Sequence, residues 1–168
     1  MNNNRFILCI VGSSGAGKTL LIETLIPKLI KRGLKVGTIK HDLHDRFDMD
    51  KPGKDTWRHK VAGASAVIAS SPKRLAIIMD VDHDHSPEEL IKFMQVDIVI
   101  AEGYKSSRYP KIEVVKEDCE PICKKDKNLI AIVSNTKFDL QIPVFSIKDS
   151  DKIADFVITY FFSSKHRF

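Results

Sequence analysis

Apolar residues recur along the chain with two different periods, and the alternation of these periods predicts an α/β fold. The run FILCIV at 6–11 is continuously apolar, which is typical of a strand buried on both faces. Apolar positions three and four residues apart predict a helix over 20–31, and Pro27 is expected to bend or break it. Gly33 ends this pattern, and 34–39 is predicted to form the next strand.

The rest of the chain repeats this alternation after a polar loop. We predict that loop over 40–55, helices over 54–63, 86–94 and 150–162, and strands over 66–70, 75–79, 97–101, 110–116, 129–133 and 143–147. In the strand at 110–116, Ile112 and Val114 alternate with Lys111 and Glu113, which predicts one face in water. Strands separated by helices indicate an α/β domain over 1–168, with a mainly parallel sheet flanked by helices and an antiparallel edge or extension.

The segment GSSGAGKT at 12–19 matches the pattern G-x-x-x-x-G-K-[ST] at every fixed position. Its glycines let the backbone fold closely around an anion, so that N–H groups point at phosphate oxygens. The Lys18 ammonium can reach the β- and γ-phosphates, and the Thr19 hydroxyl can hold Mg²⁺. Because a buried strand precedes the motif and a helix follows it, the sequence predicts a P-loop NTPase-like fold. The predicted phosphate-binding residues are Gly12, Ser13, Ser14, Gly15, Ala16, Gly17, Lys18 and Thr19.

A P-loop site also needs an acid at the end of a neighbouring strand, to hold Mg²⁺ or its water ligands. Glu102 follows the apolar run at 97–101 and is our candidate, against the alternative of an ordinary solvated acid. Asp80, after 75–79, competes with it. Asp97 begins its strand and so is expected at the opposite edge of a parallel sheet.

A base-reading element is harder to identify. The candidate segment is Asn135-Thr136-Lys137-Phe138-Asp139, which follows the strand at 129–133. Its Thr-Lys-x-Asp resembles the [NT]KxD element with which many GTP-binding proteins read guanine. The match is short, and we weigh it equally against an ordinary turn between strands.

Charge and composition narrow the class of ligand. Basic residues outnumber acidic ones 27 to 22, and residues 28–60 carry the whole excess of +5, with ten Lys plus Arg against five Asp. An anionic nucleotide or pterin phosphate suits this excess, whereas a nucleic acid would require a basic stripe. No apolar run is long enough to cross a bilayer, so we expect no membrane partner. Three cysteines cannot all pair within one chain, which excludes a disulfide framework and favours a cytoplasmic setting.

Two clusters of histidine and aspartate raise the question of a metal site. The first contains His41, Asp42, His44, Asp45, Asp48 and Asp50. It fits no tight template, and the lysines of the same loop allow two alternatives: a clamp for a second phosphorylated ligand, or a solvated loop. The second cluster, DVDHDH at 80–85, precedes the helix start at Ser86, where exposed acids are expected in any case.

Taken together, these residues resemble the MobB family of molybdopterin-guanine dinucleotide biosynthesis proteins. The resemblance rests on GSSGAGKT at 12–19, GTIKHDLHD at 37–45, DMDKPGKDTWRHKVAGA at 48–64, DIVIAEGYK at 97–105 and PKIEV at 110–114. It implies a P-loop fold, GTP binding with Mg²⁺, weak GTP hydrolysis and a homodimer. It also implies partnership with the nucleotidyltransferase MobA, which joins GMP to molybdopterin to make the guanine dinucleotide.

Carried over by position, the resemblance assigns roles to several residues. Lys18 and Glu102 would be the catalytic residues, and Thr19 and Glu102 would hold the metal. The DKPGKD loop would lie beside the nucleotide and help receive molybdopterin or the partner, through Asp50, Lys51, Lys54 and Asp55.

The sequence therefore favours a GTP-binding accessory protein of molybdenum cofactor maturation, which is at most a slow Mg²⁺-dependent GTPase. No general base is evident, and Arg46 or Arg108 could act as an arginine finger from a second copy. One alternative is a P-loop small-molecule kinase with 103–127 as its lid, although Arg108 is the one arginine among seven basic residues there. The other is a metallochaperone GTPase whose histidine and aspartate loops hold a transition metal.

Overall fold

The computed structural model describes residues 5–42 and 50–162, and these fall into two compact units. The first unit contains the described residues up to His41 and those from Pro87 onward, and the second runs from Asp42 to Ser86. Each unit is described by itself, and the single domain over 1–168 stays a prediction.

A six-stranded parallel sheet forms the first unit. The eight strands of the described chain are β1 Phe6–Val11, β2 Val36–Lys40, β3 Ala66–Ser70, β4 Leu75–Met79, β5 Ile98–Glu102, β6 Lys111–Val114, β7 Leu129–Val133 and β8 Val144–Phe145. The spatial order β2-β5-β1-β6-β7-β8 places β1 between β5 and β6, with every neighbouring pair parallel. The predicted α/β fold with a mainly parallel sheet is confirmed.

The helices are α1 Lys18–Lys31, α2 Asp55–Val61, α3 Pro87–Leu90 and α4 Ser150–Phe162, and a 3₁₀ turn at Ile91–Phe93 extends α3. Helix α1 continues through Pro27, so the predicted break does not occur. Pro27 and Glu23, whose carbonyl loses its helical partner, both lie on the exposed side of the helix, where water can take that bond.

Alternate side chains of β1 face opposite sides of the sheet, and each side is covered differently. Leu8 and Ile10 belong to the cluster that α1 and α4 cover. On the other face, Ile7, Cys9 and Val11 pack with Ile91 of the 3₁₀ turn and with side chains of loops. Burial on both faces explains the continuous apolar run of β1, and each fully buried leucine or isoleucine contributes about 1.5–3 kcal/mol.

Strand β6 departs from its prediction of one wet face, because Lys111 and Glu113 are buried. The strand lies between β1 and β7 inside the sheet, where water reaches neither face. The Lys111 ammonium lies 2.9 Å from the Asp126 carboxylate and also donates to the carbonyl oxygens of Ser107 and Tyr109. Its hydrogen bond holds the pKa of Asp126 below the usual range.

Glu113 satisfies its buried carboxylate with backbone donors. Its two oxygens accept from the amides of Ile122 and Cys123 at 2.7 and 2.9 Å. Together, Lys111 and Glu113 tie the flanking loops to the middle of the sheet, and complete pairing compensates for the cost of burying the two charges.

The second unit contains the antiparallel part of the fold as a separate two-stranded sheet. β3 and β4 pair over their full length, and an ion pair of 2.6 Å joins Lys60 of α2 to Asp80, which follows β4. The predicted antiparallel extension is therefore confirmed. None of the described helices is long and apolar enough to span a membrane. Cys9, Cys119 and Cys123 are all free thiols.

We expect Lys111→Met to lower the free energy of unfolding by about 3 kcal/mol, the low end of the range for breaking a buried ion pair. The substitution removes the ammonium from Asp126 and two carbonyl groups but keeps an apolar stem of similar length. Urea unfolding would measure the change. Lys124→Met is the matched control, because Lys124 pairs with Glu120 at the surface. This substitution should lower the free energy of unfolding by at most about 0.5 kcal/mol. Equal effects of the two substitutions would contradict the anchoring role of Lys111.

Candidate functional site

The predicted phosphate loop joins the end of β1 to the start of α1, as its chemistry requires. Gly12, Gly15 and Gly17 all have positive φ angles, of 139°, 67° and 96°, which L side chains rarely adopt. The loop also tolerates no side chain at its first position, since a Cβ on Gly12 would lie 2.3 Å from the carbonyl oxygen of Val114. The first glycine therefore lets the loop leave β1 in close contact with β6.

The Lys18 ammonium folds back over the loop instead of extending into solvent. Its Nζ donates to the carbonyl oxygens of Gly12 and Ser13, at 3.1 and 2.9 Å. These bonds keep a positive charge beside the loop and next to the N-terminal end of α1, whose dipole also favours an anion.

Thr19 and Glu102 come together at the carboxyl edge of the sheet. β5 runs parallel beside β1, and Glu102 ends β5 in register with Ile10. The Thr19 hydroxyl lies 3.5 and 3.4 Å from the two carboxylate oxygens of Glu102. A hydroxyl and a carboxylate are the hard oxygen donors that suit Mg²⁺, so this pair fits the ion chemically.

Backbone hydrogen bonds hold the Glu102 segment on both sides. The amide of Gly103 donates to the carbonyl of Ile10, and the amide of His41 donates to the carbonyl of Glu102, each at 3.0 Å. The His41 ring stacks on Tyr104 with a centroid distance of 4.2 Å. This stack joins two of the sequence segments behind the family resemblance, which the sequence alone does not show to be neighbours.

The two competing acids belong to other elements of the fold. Asp80 follows β4 of the antiparallel sheet in the second unit. Asp97 precedes β5, and its carboxylate accepts from the amide of Lys35 at 2.7 Å, at the amino edge of the parallel sheet. Of the two acids in the first unit, Glu102 lies at the carboxyl edge of the sheet with the phosphate loop, and Asp97 lies at the opposite edge.

A pocket of about 370 Å³ opens beside the phosphate loop, at the carboxyl ends of β6 and β7. Its lining consists of Ala16, Val114, Val115, Lys116, Glu117, Val133, Ser134, Asn135 and Ile147. Apart from Ala16 of the phosphate loop and Asn135, which begins the candidate base-reading segment, none of these residues was singled out from the sequence as a site residue. The sequence could have indicated these residues through their positions at and after the ends of predicted strands, because ligands of parallel α/β sheets bind where the strands end.

The predicted guanine-reading element is not in this lining. Phe138 packs into the hydrophobic cluster beneath the sheet, and Lys137 and Asp139 do not line the pocket. The amide of Thr136 donates to the hydroxyl of Ser134 at 3.1 Å, in an ordinary turn after β7. The segment thus forms a turn whose first residue, Asn135, lines the pocket, and its base-reading role stays a prediction.

The other predicted residues lie in the second unit or outside the described part of the chain. Asp50, Lys51, Lys54 and Asp55 belong to the second unit, where Asp50 accepts from the amide of Lys51 and the hydroxyl of Thr56 at 2.9 and 3.1 Å. His44, Asp45, Arg46 and Asp48 lie outside the described residues. Within 5–42 and 50–162, no group of three His, Cys, Asp or Glu residues is placed to hold a metal ion.

Part of the basic excess is not available to a ligand at the phosphate loop. Lys28 and Arg32 lie at the far end of α1 and pair with Asp151 and Asp155 of α4, at 2.6 and 2.7 Å. Ten residues of helix separate Lys28 from Lys18, which is about 15 Å. Two of the basic residues counted in the excess of 28–60 are therefore paired with acids of α4.

The fold and the loop define a class of protein: a P-loop NTPase-like chain with an acid on the strand beside the loop. Comparison with known proteins agrees. The family model for "Molybdopterin guanine dinucleotide synthesis protein B", MobB, matches residues 7–135. The molybdopterin-guanine dinucleotide biosynthesis adapter protein of Haemophilus influenzae is 36% identical over 162 residues, which cover 94% of this chain and 90% of that protein.

Two further relatives extend the comparison. The adapter protein of the same description from Escherichia coli is 33% identical over 165 residues, covering 92% of each chain. The crystal structure of Bacillus subtilis MobB superposes with a TM-score of 0.75 at 28% identity, covering 92% of this chain and 97% of that one. The chain therefore belongs to the MobB family, as the sequence predicted, and its P-loop indicates nucleotide binding.

We expect Gly12→Ala to destabilise the protein more than Gly33→Ala does. Gly33 has a φ of 88° with nothing within 4 Å of an added Cβ, so alanine there costs only backbone strain, about 1–2 kcal/mol. At Gly12 the added Cβ also meets the backbone of β6, which should cost about 1–3 kcal/mol more. Urea unfolding of both variants would measure the difference. If the two costs are equal, the loop does not need its close approach to β6.

Proposed function

We propose that this protein is a GTP-binding adapter in the synthesis of molybdopterin guanine dinucleotide. The single observation that carries the proposal is the Thr19–Glu102 pair beside the phosphate loop, within a chain of the MobB family. The Haemophilus influenzae and Escherichia coli relatives are described as adapters of this biosynthesis. The triphosphate would occupy the loop from Gly12 to Thr19.

Mg²⁺ would be held by the Thr19 hydroxyl and the Glu102 carboxylate. When bound, the ion supplies positive charge to the phosphate oxygens. Lys18 adds a second positive charge: its Nζ, which donates to loop carbonyl oxygens, would exchange these acceptors for phosphate oxygens.

We propose that hydrolysis of GTP is slow, by in-line attack of water with Lys18 stabilising charge on the phosphates. Arg108 is a poor arginine finger, because it forms an ion pair with Glu88 and lies 6.0 Å above the ring of Tyr109. Arg46 lies outside the described residues. A turnover far below about 10 per second fits an adapter that uses nucleotide binding rather than an ordinary enzyme.

The partners we propose are a MobA-type nucleotidyltransferase and molybdopterin or its guanine dinucleotide, in the cytoplasm. Support comes from the segment that begins at Asp50, which carries Lys51 and Lys54 at exposed positions. Asp50 orders the start of this segment through its bonds to Lys51 and Thr56. Exposed lysines on an ordered segment suit a phosphorylated ligand, and Asp55 begins α2 directly after them.

A homodimer is the assembly we propose, and the antiparallel sheet of the second unit supports it. On one face of the sheet, Ile68 pairs with Ile77, flanked by Met79 and Leu75, and all four side chains are exposed. A two-stranded sheet is marginal in water by itself, and a contiguous exposed apolar face is typical of an interface. A second copy of the same face would bury it.

The two alternatives receive no comparable support. The kinase alternative required 103–127 to form a lid, but β6 lies within this range at the centre of the sheet. The metallochaperone alternative relied partly on 80–85, where Asp82 pairs with His83 at 2.7 Å and the His83 and His85 rings stack.

We expect titration calorimetry to show Mg²⁺-dependent binding of GTP that is tighter than binding of ATP. Lys18→Ala should weaken GTP binding about 10- to 100-fold, because it removes a charged donor to the phosphates. Lys31→Ala, an exposed lysine at the other end of the same helix, is the control and should bind as the unmodified protein does. Unchanged binding in Lys18→Ala would overturn the phosphate-loop assignment, and equal affinity for ATP would remove the guanine preference.

We expect the protein to be a dimer by light scattering and Ile68→Asp to make it a monomer, because the carboxylate would be buried within the apolar face. Phe93→Asp, at an exposed apolar residue of the first unit, should leave the dimer intact. A monomeric unmodified protein would contradict the homodimer itself. A dimer that survives Ile68→Asp would place the interface elsewhere.

A further inference from the structure

The pocket beside the phosphate loop is continuous with the place where a nucleotide's phosphates would lie. Ala16 of the loop forms part of its wall. A Cβ on Gly15 would lie 3.5 Å from the ammonium of Lys116, another lining residue. A nucleoside whose phosphates occupy the loop therefore has this pocket next to them, and the inference below rests on the proposed nucleotide binding.

The walls of the pocket suit a flat aromatic base. Val114 and Val133 end two adjacent parallel strands, and Ile147 precedes α4. Apolar side chains on several sides, with a few polar groups at one edge, are the usual composition of a small-molecule site, and about 370 Å³ lies within the usual range.

The polar edge consists of a connected group of side chains. Asn135 donates from Nδ2 to Oε1 of Glu117 at 3.1 Å, and the hydroxyl of Ser146 donates to its Oδ1 at 3.3 Å. These two bonds orient the amide, with its nitrogen toward Glu117 and its oxygen toward Ser146. Glu117 and Asn135, both exposed, are therefore joined to each other and to Ser146 at the edge of the pocket.

We propose that Glu117 reads guanine, by accepting hydrogen bonds from the N1–H and N2–H groups of the base, and that Asn135 is a positioning residue for this carboxylate. A carboxylate has about four lone-pair sites, and the bond from Asn135 uses one of them. Two neighbouring donors on one edge of guanine match the two oxygens of a carboxylate, and bonds to a charged acceptor are strong.

The same arrangement discriminates against adenine. Adenine presents an acceptor nitrogen at position 1, where guanine presents a donor, and an acceptor facing a carboxylate is repelled. Glu117 would then have the role that one of the two sequence alternatives gave to Asp139, but after β6 instead of β7. The proposed base-reading group is therefore a contact between residues after β6 and β7, and not a contiguous sequence motif.

The test is a nucleotide series measured on Glu117→Gln. Glutamine keeps the size of the side chain and can still accept from Asn135, but it replaces one carboxylate oxygen with a donor. We expect the variant to bind GTP about 10- to 100-fold more weakly. It should gain affinity for xanthosine triphosphate, whose base has an oxygen where guanine has the N2 amine. ATP binding should become tighter, because the substitution removes the carboxylate that repels N1 of adenine and offers a donor in its place.

Glu120→Gln is the matched control, since Glu120 is an exposed glutamate three residues away that pairs with Lys124 and does not line this pocket. It should leave the whole series unchanged. Asn135→Ala should reduce the preference for GTP over ATP without the gain for xanthosine triphosphate, as expected of a positioning residue. Far-ultraviolet circular dichroism checks that each variant is folded.

The outcomes separate this inference from the proposed function. If the unmodified protein prefers GTP and Glu117→Gln binds the series as the unmodified protein does, the base-reading role of Glu117 is wrong and nucleotide binding stands. If Glu117→Gln weakens GTP, ATP and xanthosine triphosphate alike, the role is also wrong, because the effect is not at the base. If the unmodified protein binds no nucleotide, the proposed function fails, and this inference fails with it.

Discussion

The parallel pairing of β1 with β5 on one side and β6 on the other is the constraint on which the rest of the site depends. The carboxyl ends of these three strands lie at one edge of the sheet. This edge therefore carries the phosphate loop after Val11, the carboxylate of Glu102, and the Lys116–Glu117 segment after β6. The distance between Thr19 and Glu102 follows from this register, as does the approach of Gly12 to Val114. A shift of one residue in either pairing would separate these groups.

Two buried charged residues of β6, Lys111 and Glu113, stabilise this arrangement. Lys111 and Glu113 lie in β6, and their partners lie in the loops before and after this strand. The same strand carries the Val114 carbonyl that closely approaches Gly12. Because these partners include backbone groups and Asp126, the charges position the loops as well as the strand. The paired charges of Lys111 and Glu113 therefore stabilise both the pocket wall at Val114 and the strand that the phosphate loop contacts, although neither residue lines the pocket.

Local patterns predicted the elements well, and their errors have physical causes. Strands β1, β3, β4 and β7 and helix α4 have the predicted bounds. The prediction of one wet face for β6 was wrong. Alternation of apolar and polar residues indicates a solvent-exposed face only where one face of the sheet is open. Here both faces of a central strand are covered, and its two charged side chains are paired. Pro27 was expected to bend or break α1; the break does not occur, because the exposed position of Pro27 lets the helix continue.

The sequence by itself determined the phosphate loop, the parallel α/β class and the family, because each depends on residues that are close in the chain or on a pattern of types. It also proposed Glu102, since an acid after an apolar strand is visible locally. Only the tertiary structure put Glu102 beside Thr19, at the opposite edge of the sheet from Asp97, and put Glu117 beside Asn135. The reason is that strand order is set by long-range pairing, so residues 18 positions apart become neighbours only when β6 and β7 lie side by side.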